Sequence, residues 1–398
     1  MKRWLYVTAA YHEHAWNIAR ALQEREALER WWGGLVFAEG SILGRFAPWK
    51  RRVLDEVPSD RLRTQRRWEM FRVLAHRAGI GAAIQDRLWE RGEHALDARA
   101  ARDLRPAHAG AIGFEHGCLA TLRRARELGL RRLVVFASAH HAFRERVVDP
   151  EYRRYPAWCV PDERALLARA AERDRRRDAE IAVADTLVAN SSWTARTLRE
   201  GGAPPDRVMA IPLGFPQIAP NADGGSGGRG PLRLVYVGTV GLHKGFPRLQ
   251  EAFVALPPHA ARLDVFGALR VHPEALARQP NLVFHGAVAR ARLSRAFAEA
   301  DALVFPTLSD GFGMAAAEAL ASGVPVLCSR NAGIADFVRE GVNGWLFDPL
   351  APGALLAQLR RCLDERAQLA EMRPAALRTA AEWTWAHFRG EWFRKVLS

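Results

Sequence analysis

The stretch LSDGFGMAAAEALASG, Leu308 to Gly323, carries two acids that a plain structural helix does not need. It follows the apolar run ALVFPT, which reads as a buried strand, so Asp310 and Gly311-Phe312-Gly313 fall at that strand's carboxyl end. Glycines there let the backbone approach a ligand, and free N–H groups at a helix start attract an anion. A diphosphate at this point would be held by the amides of Gly313 and Met314. Glu318 lies two helical turns beyond Asp310 and can face the same way. A carboxylate that accepts two hydrogen bonds suits a vicinal diol such as a ribose, and Asp310 suits the hydroxyls of a sugar. Taken alone, a capping Asp310 and a solvated Glu318 would account for the same residues.

Other pieces fall in comparable places. Lys244 stands in VGTVGLHKGF, directly after the strand LRLVYVG, and the chain has only three other lysines, Lys2, Lys50 and Lys395, among 58 basic residues. A lysine in so arginine-rich a chain suggests a compact charge meeting phosphate oxygens. FHGAV ends another strand, and its backbone from Gly286 to Val288 can edge a nucleobase. GFEHG sets His116 just past a strand and pointing at the same cleft, with a capping or core role as the alternative; Glu115 is the weaker candidate. His140 and His141 in SAHHAF end a further strand, on the acceptor side or as structural residues. His12 and His14 occupy the first loop, in reach of either substrate.

These loops need elements to hold them. KRWLYVT reads as a strand, IARALQEREALERWW as an amphipathic helix, and GAIGF, RLVVFAS and TLVANS as further strands. Ser191-Ser192 is a good N-cap for WTARTLREGG. After Gly230 the alternation repeats with LRLVYVG, RLDVFG, NLVFHG, ALVFPT and PVLCS. Short apolar strands alternating with helices imply parallel sheets covered on both faces. The expected fold is α/β, with two doubly wound, Rossmann-like domains facing across a cleft at the strands' carboxyl ends. The first spans 1–215, a flexible linker 216–231, and the second 232–378. Residues 379–398 form an aromatic helix packing back across the junction. The linker's glycines precede a strand instead of following one, which rules out a phosphate-binding fingerprint.

At 398 residues, about half of them hydrophobic, the chain is long enough for two cores. No apolar run is long enough to span a bilayer. MKRWLYVTAAYHEH meets histidines and a glutamate too early for a signal peptide, and four scattered cysteines fit a reducing compartment with no zinc site. A cytoplasmic protein is therefore expected. The net charge of +14 is concentrated in the first 200 residues, which hold 37 basic and 27 acidic side chains. Residues 60 to 105 are helical and arginine-rich with Trp68, Phe71 and Trp89. They read either as surface helices or as a basic amphipathic surface for anionic lipid, peripheral to the inner membrane. The charge would also suit nucleic acid, but no helix-turn-helix, zinc or RNA-binding signature accompanies it, and nucleic acid is not an expected partner.

GTVGLHKG, DGFGMAAAE and GVPVLCS, in this order and at these separations, resemble glycosyltransferase family 4. The likeness covers about 170 residues of the second half and is diffuse in the first. It implies the GT-B fold and sugar transfer, with retention, from a nucleotide-sugar donor to a hydroxyl of a polysaccharide, lipopolysaccharide or lipid-linked acceptor. Lys244 would meet the phosphates, Glu318 the ribose, and Asp310 with the Gly311–Met314 backbone the sugar and distal phosphate. Thr239 and Gly241 belong to the phosphate loop, and His116 would stand near the donor sugar. Two positions depart from the family pattern: Thr239 replaces its loop arginine, and Asp310 replaces the first glutamate of its pair. No Asp-x-Asp ends a strand, so no metal or other cofactor is expected, and Lys244 with the helix-start amides would stabilise the departing diphosphate. An epimerase on the same fold, or a non-catalytic nucleotide-sugar binder, are the competing readings.

Overall fold

The computed structural model describes residues 2–42, 52–54, 57–218, 224–225 and 230–397; most of the glycine-rich linker lies outside them. The first sheet is formed by β1 (Trp4–Thr8), β2 (Leu28–Gly33), β5 (Leu62–Thr64), β6 (Gly110–Phe114), β7 (Arg131–Phe136), β8 (Thr186–Ala189) and β9 (Val208–Ala210). Its order is β5-β2-β1-β6-β7-β8-β9, parallel throughout. A separate short pair joins β3 (Phe37–Ala38) to β4 (Val53–Leu54). The second sheet comprises β10 (Leu232–Val237), β11 (Ala261–Phe266), β12 (Leu282–Gly286), β13 (Ala302–Phe305), β14 (Val326–Ser329) and β15 (Gly344–Phe347). Its order is β12-β11-β10-β13-β14-β15, again parallel.

Both sheets reverse their winding at a central pair, β1 beside β6 and β10 beside β13. The loops leaving such strands diverge and open a crevice, where ligands of doubly wound folds bind. The strands are apolar on both faces, as burial from both sides requires: β1 and β13 are buried at every position.

The helix expected through IARALQEREALERWW stops at Glu24, and Leu28–Gly33 is strand β2 instead. Glu26 takes a positive φ of 53°, which breaks the helix, and Leu28 and Trp31 then fill the core beneath the sheet. Ser191 caps its helix through a hydroxyl that accepts the Thr194 N–H. The arginine-rich segment forms two helices, Arg67–Arg77 and Ala82–Asp103, packed as a hairpin. Of the three aromatic residues expected on its surface only Phe71 is exposed, because Trp68 packs over Gly92 and Trp89 lies edge-on to His116.

After the helix Arg366–Glu382 the chain crosses back. Helix Trp385–Trp392 packs on Glu13–Glu24 of the first domain, where Phe388 and Trp392 are fully buried and Arg389 bonds Glu24 at 2.7 Å and Asn17 at 2.9 Å. The domains also meet directly. Arg248 holds Glu151 through two hydrogen bonds of 2.6 and 2.8 Å, and Tyr155 donates to Glu251 at 2.8 Å. Among the described residues no helix is long and apolar enough to cross a membrane.

Candidate active site

A cavity of about 620 Å³ lies between the domains, lined by the loops after β1, β10 and β13 and by the start of helix Met314–Ala321. Lys244 and Asp310 meet in it: Lys244 Nζ lies 2.7 Å from Asp310 Oδ2, and Asp310 Oδ1 accepts the Phe312 N–H at 3.2 Å. The cation and the acid to which separate ligands were assigned therefore hold each other. Asp310 braces the loop ahead of the helix and is not its N-cap; that place belongs to Gly313, whose φ of 103° favours a glycine. Gly313, Met314, Phe312 and Thr239 line the same cavity. Thr239 also accepts the Tyr236 hydroxyl through its carbonyl at 2.7 Å.

Glu318 lines the cavity too, and its carboxylate makes no hydrogen bond or ion pair among the described residues. Burial pushes its carboxyl above the usual range, Arg290 pulls it down and Glu13 across the cleft pushes it up. His12, Glu13 and His14 form the facing wall, with Glu13 held by the Trp385 indole N–H at 3.1 Å. His12 accepts the Ala15 N–H through Nδ1, and burial lowers the pKa of both the His12 and His14 rings.

Several residues assigned to the site lie elsewhere. Gly311 is a domain contact: a Cβ there would stand 1.9 Å from the Ala137 carbonyl, and its own carbonyl accepts the hydroxyls of Ser191 at 2.6 Å and Thr194 at 3.2 Å. Gly311→Ala should therefore wedge the domains apart, raising the radius of gyration in solution scattering. An unchanged radius would mean that the loop absorbs the methyl group. Gly241, Gly286 and Val288 do not line the cavity; Gly286 bonds back to the Gly267 amide, and Val288 packs on the core.

His116 does not face the cleft, contrary to expectation. The buried Glu180 accepts the N–H groups of His116 at 2.7 Å and Cys118 at 3.0 Å, and Arg176 holds the His116 carbonyl at 2.6 Å. These bonds fix His116 at a φ of 75° and turn its ring toward Trp89, into a separate cavity of about 200 Å³. Burial and three nearby arginines hold the imidazole well below its usual pKa. Burial pushes the Glu180 carboxyl up to about 7 against these hydrogen bonds. Glu180→Ala leaves the N–H groups of His116 and Cys118 without their acceptor and should cost about 2–5 kcal/mol, read as a lower Tm. A wild-type melting curve would mean that the loop is held by other contacts.

Glu115 is likewise committed, to Arg177 and to the amides of Ala137 and Ser138. His140 and His141 lie outside the cavity, above helix Ala170–Val183, with His141 Nε2 2.8 Å from Asp178. These three side chains are close enough to hold a metal ion, but His140 Nδ1 already accepts the Ala142 N–H. In the neutral ring that leaves the proton on Nε2, and no lone pair faces Asp178.

The sequence reading overlooked Arg290, Glu13, Asn190 and Trp385, all of which line the cavity. Arg290 is one of many arginines, and Trp385 arrives from the far end of the chain. Glu13 carried a local signal, between two histidines in a strand-to-helix loop.

Two doubly wound parallel sheets with a cleft at their carboxyl ends define the GT-B class. HepE from Anabaena, solved in complex with UDP, aligns over 99% of both chains with a TM-score of 0.62 at 14% identity. The lipopolysaccharide outer core galactosyltransferase WaaB aligns over 100% of this chain and 99% of its own, with a TM-score of 0.63 at 11% identity. Residues 228–379, which include the whole second domain, match the family glycosyl transferases group 1. A D-inositol 3-phosphate glycosyltransferase of Xylanimonas cellulosilytica is 33% identical over 50% of this chain and 54% of its own. The sulfoquinovosyl transferase SQD2 of Arabidopsis thaliana is 29% identical over 38% and 30%. The chain thus spans about half or less of the length of these relatives.

Proposed function

We propose that the protein transfers a sugar from a nucleotide-sugar donor to a hydroxyl of a polysaccharide, lipopolysaccharide or lipid-linked acceptor, with retention and without a metal. The observation that carries this is the Lys244–Asp310 pair and Glu318, whose carboxylate has no partner among the described residues, in one interdomain cavity, inside the stretch that matches the group 1 glycosyltransferases. The UDP held by the Anabaena protein of like fold supports a nucleotide in the cleft.

In this reading the helix-start amides of Gly313 and Met314 bind the distal phosphate, and Glu318 accepts both ribose hydroxyls. The diphosphate draws Lys244 from Asp310, which frees one carboxylate oxygen for the sugar while the other keeps the Phe312 N–H. The acceptor oxygen bonds to the anomeric carbon as the carbon–oxygen bond to the diphosphate breaks, and the acceptor proton passes to a phosphate oxygen. Lys244 then stabilises the charge on the leaving diphosphate. His12, His14 and Glu13 form the acceptor wall.

The test is calorimetric titration with UDP, GDP, ADP and dTDP and their sugar conjugates without metal, followed by product analysis. A new glycoside supports transfer, an inverted hydroxyl means an epimerase, and binding without product means a binding protein. No nucleotide binding removes the donor site altogether.

A further inference from the structure

Amphipathic helices of globular domains turn their apolar face inward. The helix Arg67–Arg77 does the reverse. Positions 67, 70, 71, 74 and 77 share one helical face, and there Met70, Phe71 and Leu74 are 48%, 50% and 57% exposed. The opposite face carries Trp68, packed on Gly92, and the buried Ala75. The ridge continues around the turn, where Ile80 is 38% and Ile84 50% exposed.

Within the hairpin's outer stretch the exposed charge has one sign, and the one exposed acid seen at its tip among the described residues is Asp162, which accepts the Ala82 N–H at 3.4 Å. Between residues 67 and 91 the exposed ionisable side chains are Arg67, His76, Arg77, Arg87 and Arg91. The acids of the same stretch are turned inward and paired: Glu69 with Arg52 and Arg72, Asp86 with Arg169 and Arg173, Glu90 with Arg169. An apolar ridge flanked by four arginines fits a surface that is apolar below and anionic on top. A second copy would set arginines against arginines, and an acidic protein would gain little from five exposed apolar side chains.

We propose that the tip of this helical hairpin docks on an anionic phospholipid bilayer, the apolar ridge entering the boundary between headgroups and acyl chains and the arginines meeting lipid phosphates. The inference deepens the acceptor reading above, on which its purpose rests, by making a lipid-linked acceptor the favoured class. The two can fail separately, since nucleotide titration needs no membrane.

The purified full chain would be sedimented with vesicles of phosphatidylglycerol and phosphatidylcholine, and with phosphatidylcholine alone. Wild type should partition onto the anionic vesicles and much less onto the neutral ones. Phe71→Ser with Leu74→Ser should weaken partitioning by at least about tenfold, and Arg77→Gln with Arg87→Gln by about fivefold per arginine. Unchanged melting curves and nucleotide affinity would confirm that the variants fold. Partitioning that ignores lipid charge, or variants that bind like wild type, would overturn the proposal. So would a wild-type dimer dispersed by the Phe71 and Leu74 changes, which would assign the ridge to a second copy.

Discussion

Replacing Glu318 by Ala should cost about 3 kcal/mol of donor binding, on the order of a hundredfold in Kd, with the melting temperature unchanged. Two charge-assisted hydrogen bonds to a ribose diol supply a loss of that size. The fold should not notice, because the Glu318 side chain has no hydrogen-bonding or ion-pair partner among the described residues to strand when it is removed, and an alanine suits the helix better still. Calorimetry with the preferred nucleotide measures the first effect and a thermal melt the second. The pH dependence follows from the raised carboxyl pKa, whose first cause is burial. In the proposed donor site the ionised form binds the ribose. Affinity should thus be full above the raised pKa and fall as pH drops through it, beginning at a higher pH than an exposed glutamate would give. Glu318→Gln should flatten this profile. Wild-type affinity in the alanine variant would remove Glu318 from the donor site.

The second large effect is expected at Lys244. Lys244→Met removes the cation assigned to the departing diphosphate, and turnover should fall about 10²–10³-fold, the scale seen when one preorganised electrostatic group is removed. Stability should change little: Asp310 keeps 19% of its side-chain surface in water and retains the Phe312 N–H, so it is not left as an isolated buried charge. Lys244→Arg separates charge from geometry. A planar guanidinium in a site fitted to an ammonium should recover nucleotide binding more fully than turnover. Single-turnover rates at saturating donor measure this directly. If the methionine variant turns over like wild type, the diphosphate is stabilised by other groups, of which Arg290 in the same cavity is the first to examine.

The positions that carry these predictions were legible in the sequence because their signals are local. A buried strand, a glycine turn and a helix start follow one another within a few residues, and parallel strands put all such turns at one edge. Lys244, Asp310 and Glu318 came from that logic, as did Ser191 as a cap. The helix Glu13–Glu24 is shorter than its sequence suggests for a related reason: ALERWW has both periodicities, and only the place beside β1 makes Leu28–Gly33 a strand.

What the chain's order alone determined is the repeated strand–helix alternation, the side of each sheet on which ligands gather, and the acids and lysine aimed there. Tertiary structure decided the rest, because it depends on contacts between distant residues. Glu180, 64 residues from His116, turns that histidine out of the cleft through a backbone hydrogen bond. Ala137 makes Gly311 a domain contact instead of a ligand contact, and Lys244 and Asp310, 66 residues apart, meet as a pair. Trp385 comes from the end of the chain to steady Glu13 near its beginning. A side chain's direction is set by whichever partner satisfies its buried polar neighbours, and those partners are chosen in space and not along the chain.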